Sequence, residues 1–210
     1  MTLVERSLRD FIAETALSSP TPGGGSASAL AGALGTALAE MVINLTVGKR
    51  KYADVSAELA ALLPKLAQIR ADLEAAVDRD AAAFNEVMKA YSLPKETEAQ
   101  NRARAAAIQE ATIGATQVPL GVMEAALKAL EMTLIVAQKG NKNSASDAGV
   151  AGLLLSSALD GAALNVRINL ASLPDDLVFK TQARRKMESL KANKTKMAMR
   201  MKAAVAKNLS

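Results

Sequence analysis

The 210-residue chain contains no cysteine, no histidine and no tryptophan, and its aromatics are limited to three Phe and two Tyr. Without cysteine there are no disulfides, no thiolate nucleophile and no cysteine-ligated zinc. Without histidine the most frequent general base and the commonest transition-metal ligand are both missing. Acid–base chemistry therefore falls to carboxylates, lysines, tyrosines or the backbone, and a catalytic metal is not expected. So few aromatics leave little for base stacking, which argues against nucleic acid as a partner. The opening MTLVERSLRDFIAET places acidic residues early and has no apolar run, unlike a secretory signal; a soluble, cytoplasmic protein is expected.

What the chain has is alanine, leucine, valine and methionine. Hydrophobic residues make up 50% of it while aromatics make up only 2%. Ala, Leu and Met favour helices, whereas strands draw on β-branched and aromatic residues, so the expected fold class is all-α. A chain of this length can bury roughly 70% of its unfolded surface in one core. No linker, repeat or low-complexity tail interrupts it, and residues 1–210 read as a single helical domain. The formal charge is +5. Basic residues gather at 49–51 and 180–207, which suits an anionic partner and equally suits a solvated helix face.

Ser26 to Gly48 imitates a membrane span, with Glu40 its only charge and Lys49-Arg50-Lys51 following. The stretch is rich in Ala and Gly, however, and carries that glutamate inside it. A helix buried in a bundle or at a dimer interface is the better reading, with no membrane. Ala27, Ala31, Gly35 and Ala39 recur every four residues on it, letting another backbone approach closely.

Elsewhere a first helix is expected from Leu3 to Leu17, with Leu3, Leu8, Phe11, Ile12 and Ala16 on one side. It should stop at Ser18-Ser19-Pro20-Thr21-Pro22-Gly23-Gly24-Gly25, and Ser26 should cap the next helix, running to Val47. A third helical region spans Asp54 to Tyr91, bent or restarted at Pro64. Thr97 and Gln100 form a capping box for a fourth, which Pro119 should kink or break. Gly140 to Ser144 is a loop, Ser146 or Asp147 caps a helix to Ala171, and Pro174 starts the basic last helix. About seven helices make a multi-helix bundle, and the long Ala-rich faces suggest a homodimer or higher homo-oligomer.

Three segments exceed what a bundle needs. Pro22-Gly23-Gly24-Gly25-Ser26 before an apolar helix exposes backbone N–H groups to an anion or polar ligand, without the spacing of a nucleotide P-loop; a tight connection would look the same. In Leu73–Tyr91 the residues Leu73, Val77, Ala81, Phe84, Met88 and Tyr91 make one apolar stripe. At about 100° per residue Asp80 lies roughly 60° from its middle, and Asp78 about 100° away on the other flank. Burial at that edge would raise the pKa of Asp80 and suit it to proton donation; a buried aspartate paired with Arg or Lys fits the same pattern. Third, Gly140-Asn141-Lys142-Asn143-Ser144-Ala145-Ser146-Asp147 concentrates polar groups before an apolar helix. Asn165 and Asn169 follow on that helix and must find either a ligand or a neighbouring helix.

These motifs occur in a fixed order. Pro20-Thr21-Pro22-Gly23-Gly24-Gly25-Ser26 is followed by Asn44-Leu45-Thr46-Val47-Gly48-Lys49-Arg50-Lys51-Tyr52, and then by Asp78-Arg79-Asp80-Ala81-Ala82-Ala83-Phe84. Leu93-Pro94-Lys95, Val118-Pro119-Leu120 and the Gly140–Asp147 loop complete the series. Over essentially its whole length the chain resembles the cyclodeaminase/cyclohydrolase family. That family includes the C-terminal domain of formiminotransferase-cyclodeaminase and stand-alone methenyltetrahydrofolate cyclohydrolases of bacterial one-carbon metabolism. The resemblance implies an all-α fold, a dimeric building block, no prosthetic group and a tetrahydrofolate derivative, polyglutamylated in some forms, as substrate. It puts Asp80 at the position of the family's proton donor. It makes Pro22, Gly23, Gly24, Gly25, Ser26, Lys49, Lys51, Tyr52, Asn141, Asn143, Ser146 and Asp147 candidates for the walls of the folate site. The chain carries no formiminotransferase domain, which favours hydrolysis of 5,10-methenyltetrahydrofolate over deamination of the formimino form. A non-catalytic helical ligand-binding or scaffold protein is the expectation from another class.

Overall fold

The computed structural model describes residues 2–209; Met1 and Ser210, the two ends of the expected domain, lie outside the described residues. It is an all-α bundle of α1 (Leu8–Thr15), α2 (Gly24–Asn44), α3 (Ala53–Ala60), α4 (Leu63–Tyr91), α5 (Glu98–Lys139), α6 (Ala145–Ala171) and α7 (Val178–Leu209). Short 3₁₀ turns at Arg50–Tyr52 and Lys142–Ser144 join the helices at one end. Among the described residues there is no strand.

Helix α2 is the axis of the bundle, with α4, α5 and α6 packed around it and α7 lying across α5 and α6. Its small residues explain the arrangement. A Cβ at Gly32 would stand 3.2 Å from Leu73 of α4, and one at Gly35 would stand 3.0 Å from the Ala151 carbonyl of α6. Gly35 and Ala39 of the four-residue stripe are thus buried inside this bundle, while Ala27 and Ala31 keep partial exposure. The close approach that the stripe permits is mainly intramolecular. By length and composition Gly24–Asn44 and Lys142–Ala171 could each cross a membrane; here they lie against each other as core helices, with Ile43, Leu155, Leu159 and Val166 fully buried.

Helix α5 runs unbroken from Glu98 to Lys139 with Pro119 inside it, where a kink or break was expected. Proline has no N–H, so the carbonyl four residues back, on Ala115, loses its helical partner. Asn169 of α6 donates its side-chain amide to that carbonyl at 2.8 Å. The gap in one helix is closed by a side chain of another, which lets the turn continue. Asn169 therefore resolves as a helix–helix bond.

Other boundaries shift for local reasons. Helix α1 starts only at Leu8, because Ser7 caps it by accepting from the Asp10 N–H; Phe11 is buried, but Leu8 and Ile12 are exposed. The region from Asp54 restarts rather than bends, with Pro64 in the first turn of α4, where its missing N–H costs nothing. The capping box at Thr97 and Gln100 is complete. Neither Ser146 nor Asp147 caps α6, which begins at Ala145 straight from the 3₁₀ turn. Helix α7 begins at Val178, not Pro174. Buried Lys180 reaches back to the Leu173 carbonyl and to Asp175, each at 2.7 Å, and fixes the turn before it.

Candidate active site

The site is built at the N-terminal end of α2. The chain arrives through Pro20–Gly23, with a cis peptide at Thr21–Pro22, and α2 starts at Gly24 with Gly23 as its N-cap. Ser26 is therefore inside the first turn and is not the cap that the sequence suggested. Its side chain is fully buried and turned onto α4. Ser26 Oγ lies 2.8 Å from the Val77 carbonyl and 3.1 Å from Asp80 Oδ2, so its one proton serves both acceptors. The Ser26 backbone N–H also bonds to Asp80. On the other side the carboxylate presses on Gly25, and a Cβ at that position would collide with it. Gly25 is glycine because Asp80 occupies the space.

Asp80 is thus a half-buried carboxylate at a helix N-terminus. Burial raises its carboxyl above the ordinary aspartate range, and the bonds from the Ser26 hydroxyl and N–H pull the other way without cancelling it. Its position at the edge of the apolar stripe has a simple cause: α2 begins opposite it. Upstream, Leu73 and Val77 are buried against α2, whereas Met88 and Tyr91 downstream are 49% and 44% exposed. The stripe continues in the sequence, but the helix that would cover it does not. Asp78, on the other flank, accepts from the Leu3 N–H at 2.6 Å and ties down the N-terminal segment. A cavity of about 340 Å³ opens nearby, walled by Leu3, Thr21, Pro22, Ala81 and Asn85, with the Arg6–Glu14 ion pair at its side.

The remaining candidates gather elsewhere. Asn141 is buried; its N–H donates to Thr46 Oγ1 at 2.8 Å and its amide donates to the Leu45 carbonyl at 3.2 Å. Its Oδ1 faces the Tyr52 hydroxyl at 3.3 Å and accepts from the Asn143 N–H at 3.1 Å. The Tyr52 oxygen accepts from the Lys142 N–H at 3.1 Å, and Lys51 lies over the Tyr52 ring. The amide of Asn141 is spent on the protein, so it shapes the loop, while Lys49, Lys51, Asn143 and Ser146 are exposed around it and Asp147 is half-buried. All of this is at the C-terminal end of α2. The 21 residues of α2 span about 30 Å, so one copy of the chain keeps Asp80 and Tyr52–Asn141 that far apart.

Thr46 and a basic cavity next to the second cluster were not visible as site features beforehand. The cavity, about 560 Å³, is walled by Gln138, Lys142, Arg200, Lys207 and Asn208. Its only advance sign was the density of charge on α7, which holds ten of the chain's 26 Lys and Arg but only one of its 21 acidic residues, Glu188. Among the described residues no three acidic side chains converge as metal ligands would.

The Formiminotransferase-cyclodeaminase family pattern matches residues 7–189. The chain is 45% identical over 186 residues to a methenyltetrahydrofolate cyclohydrolase of Methylorubrum extorquens, covering 89% of both chains. It is 38% identical over 188 residues to the rat formimidoyltransferase-cyclodeaminase, covering 90% of this chain and 35% of that one. The crystal structure of formiminotetrahydrofolate cyclodeaminase from Thermotoga maritima superposes with a TM-score of 0.87 at 31% identity, over 98% of each chain. With fold, motif order and sequence agreeing over nearly the whole length, the chain belongs to the formiminotransferase-cyclodeaminase family.

Proposed function

We propose that this protein is a methenyltetrahydrofolate cyclohydrolase, converting 5,10-methenyltetrahydrofolate and water to 10-formyltetrahydrofolate. The observation that carries the reading is Asp80, a half-buried carboxylate whose burial raises its pKa and suits it to proton exchange, in a chain 45% identical to a cyclohydrolase over 89% of its length. Water attacks the cationic carbon between N5 and N10 as the Asp80 carboxylate takes one of its protons. The tetrahedral adduct then collapses: its hydroxyl becomes the formyl carbonyl, the bond from carbon to N5 breaks, and Asp80 returns a proton to N5. Overall one proton is released. The reaction as drawn uses protein groups and water alone. Ser26 and Gly25 hold the carboxylate where it can reach both oxygen and nitrogen.

The identity to the rat formimidoyltransferase-cyclodeaminase and to the Thermotoga maritima cyclodeaminase supports a second reading of the same site. There N10 attacks the formimino carbon, and Asp80 protonates the departing ammonia. Both reactions pass through a tetrahedral carbon between N5 and N10, which is why one pocket serves either.

The finer assembly is a homodimer. Leu34 on α2, Leu45 just past its end, and Leu153, Leu164 and Ile168 on α6 are 41–70% exposed along one side of the bundle. A second copy laid antiparallel on that side covers them and brings its Tyr52–Asn141 cluster to this chain's Asp80, 30 Å being the length over which α2 must be matched. The folate's anionic glutamate tail, single or polymeric, then runs to the cavity of Lys142, Arg200 and Lys207. As an enzyme of one-carbon metabolism it is placed in the cytoplasm.

Absorbance is the test. The methenyl form has a near-ultraviolet band, so enzyme-dependent loss of the band establishes hydrolysis. Its growth from 5-formiminotetrahydrofolate, with ammonia, establishes deamination. No change with either substrate removes both readings and leaves a non-catalytic binding protein.

A further inference from the structure

Asn165 is a half-buried amide on α6 whose place the bundle does not explain. Its neighbour one turn on, Asn169, is spent on Ala115. Asn165 instead donates its Nδ2 to the Gly161 carbonyl of its own helix at 3.0 Å. Its Oδ1 accepts no hydrogen bond from the described residues. That internal bond commits the Nδ2 and leaves the oxygen as the amide's open acceptor.

The surroundings are built for closeness. A Cβ at Gly161 would collide with Ser28 Oγ, and Ser28 itself donates to the Gly24 carbonyl at 2.6 Å. The α6 backbone is thereby held against the first turn of α2. Asn165 Nδ2 comes within 3.7 Å of where a Cβ on Gly24 would be, and the next residue, Gly25, has its Cβ position filled by Asp80. Consecutive Cα atoms are about 3.8 Å apart. Asn165 and Asp80 therefore flank one helix start from two sides, α6 and α4. Gly24 between them is exposed, and a Cβ there would meet Asn165 Nδ2 in ordinary contact.

We infer that Asn165 is a substrate-binding residue whose amide oxygen accepts a hydrogen bond from the N–H-bearing edge of the pterin, opposite the group that exchanges protons. This rests on the folate reading above and adds a specificity residue to it. A pterin presents an amino group and a ring N–H on one edge, and an uncommitted acceptor is their complement. A site built to hydrogen-bond such a group discriminates strongly against ligands lacking it.

Binding of 5,10-methenyltetrahydrofolate is measured by calorimetry in an Asp80→Asn background, where turnover is suppressed, and kcat and KM are measured with Asp80 intact. Asn165→Leu is expected to weaken binding and raise KM about tenfold, with kcat within about threefold of the parent and unchanged Tm. Asn165→Asp keeps an acceptor oxygen but cannot donate to Gly161, and it is expected to restore binding to within about threefold. If the Nδ2–Gly161 bond alone matters, Asn165→Asp behaves like Asn165→Leu, and the inference is overturned. Equal binding by all three proteins overturns it as well. Tight binding without turnover in the Asp80 protein would remove the cyclohydrolase reading but leave the Asn165 comparison decisive, and absence of binding by Asp80→Asn itself removes both.

Discussion

The two ends of α2 gather different chemistry. At its N-terminus a single carboxylate is squeezed between Gly25 and Ser26 and accepts every hydrogen bond offered to it. At its C-terminus an amide, a phenol and a threonine hydroxyl satisfy one another and shape a loop beneath lysines. The first end is poor in groups and perturbed in pKa, as proton transfer requires. The second pairs its own polar groups and carries its positive charge on exposed lysines around them. The contrast teaches that a set of motifs ordered along one sequence need not meet within one copy of it.

The comparison is most easily broken at Asp80. Asp80→Asn is expected to cut kcat by about 10²- to 10⁴-fold while substrate still binds, as read in the absorbance assay with a parallel titration. The same variant sharpens the electrostatic side. Because folding raises the carboxyl's pKa, the native state holds its proton more tightly than the unfolded chain. That benefit is present below the ordinary aspartate range and lost as pH rises through the folded value. Asp80→Asn should therefore have a higher Tm than the parent near neutral pH, the gap closing as the solution is acidified.

Gly25→Ala comes next. Its methyl displaces the carboxylate, and kcat should fall about 10- to 100-fold at the N-terminal end with little change at the other. The independence of the two ends is tested by mixing. Asp80→Asn and a Tyr52→Phe/Asn141→Ala double variant, each weakly active, should recover about a quarter of parental activity after subunit exchange if a second copy completes the site. Sites complete within one chain recover nothing. Ser26→Ala is subtler: it removes a bond that holds the Asp80 pKa down, so the acid limb of the hydrolase pH profile should move to higher pH. The smallest effect belongs to neither end. Asn169→Leu should destabilise the fold by about 1–3 kcal/mol by orphaning the Ala115 carbonyl, and in a Pro119→Ala background, where the helix reclaims that carbonyl, denaturant titration should show a smaller loss.

Features decided within a few residues were legible in the sequence. The Thr97–Gln100 box, an interruption at Pro64 and the all-α class follow from local chemistry, and helical periodicity alone puts Asp80 at the rim of a buried face. Where a feature depends on what lies across the gap, the sequence was silent. Met88 and Tyr91 continue the apolar period but are uncovered because α2 starts opposite Asp80, two to three turns short of them. Ser26 has the composition of a cap and serves instead as a bond to Asp80. Pro119 reads as a break until Asn169, fifty residues on in the chain, is seen beside Ala115. The Gly140–Asp147 segment was recognised as a polar cluster, but nothing one-dimensional told how far it stands from Asp80.

Helix α7 has a consequence for how fast a ligand arrives. With ten basic residues and one acidic one on it, the rest of the chain is left net acidic, so the molecule is an electrical dipole with its positive pole on one side. Such a field acts over a Debye length of about 8 Å at physiological ionic strength, before any contact forms. An incoming molecule with a negative tail is rotated as it approaches and lands tail first. Association should slow steeply as salt is added.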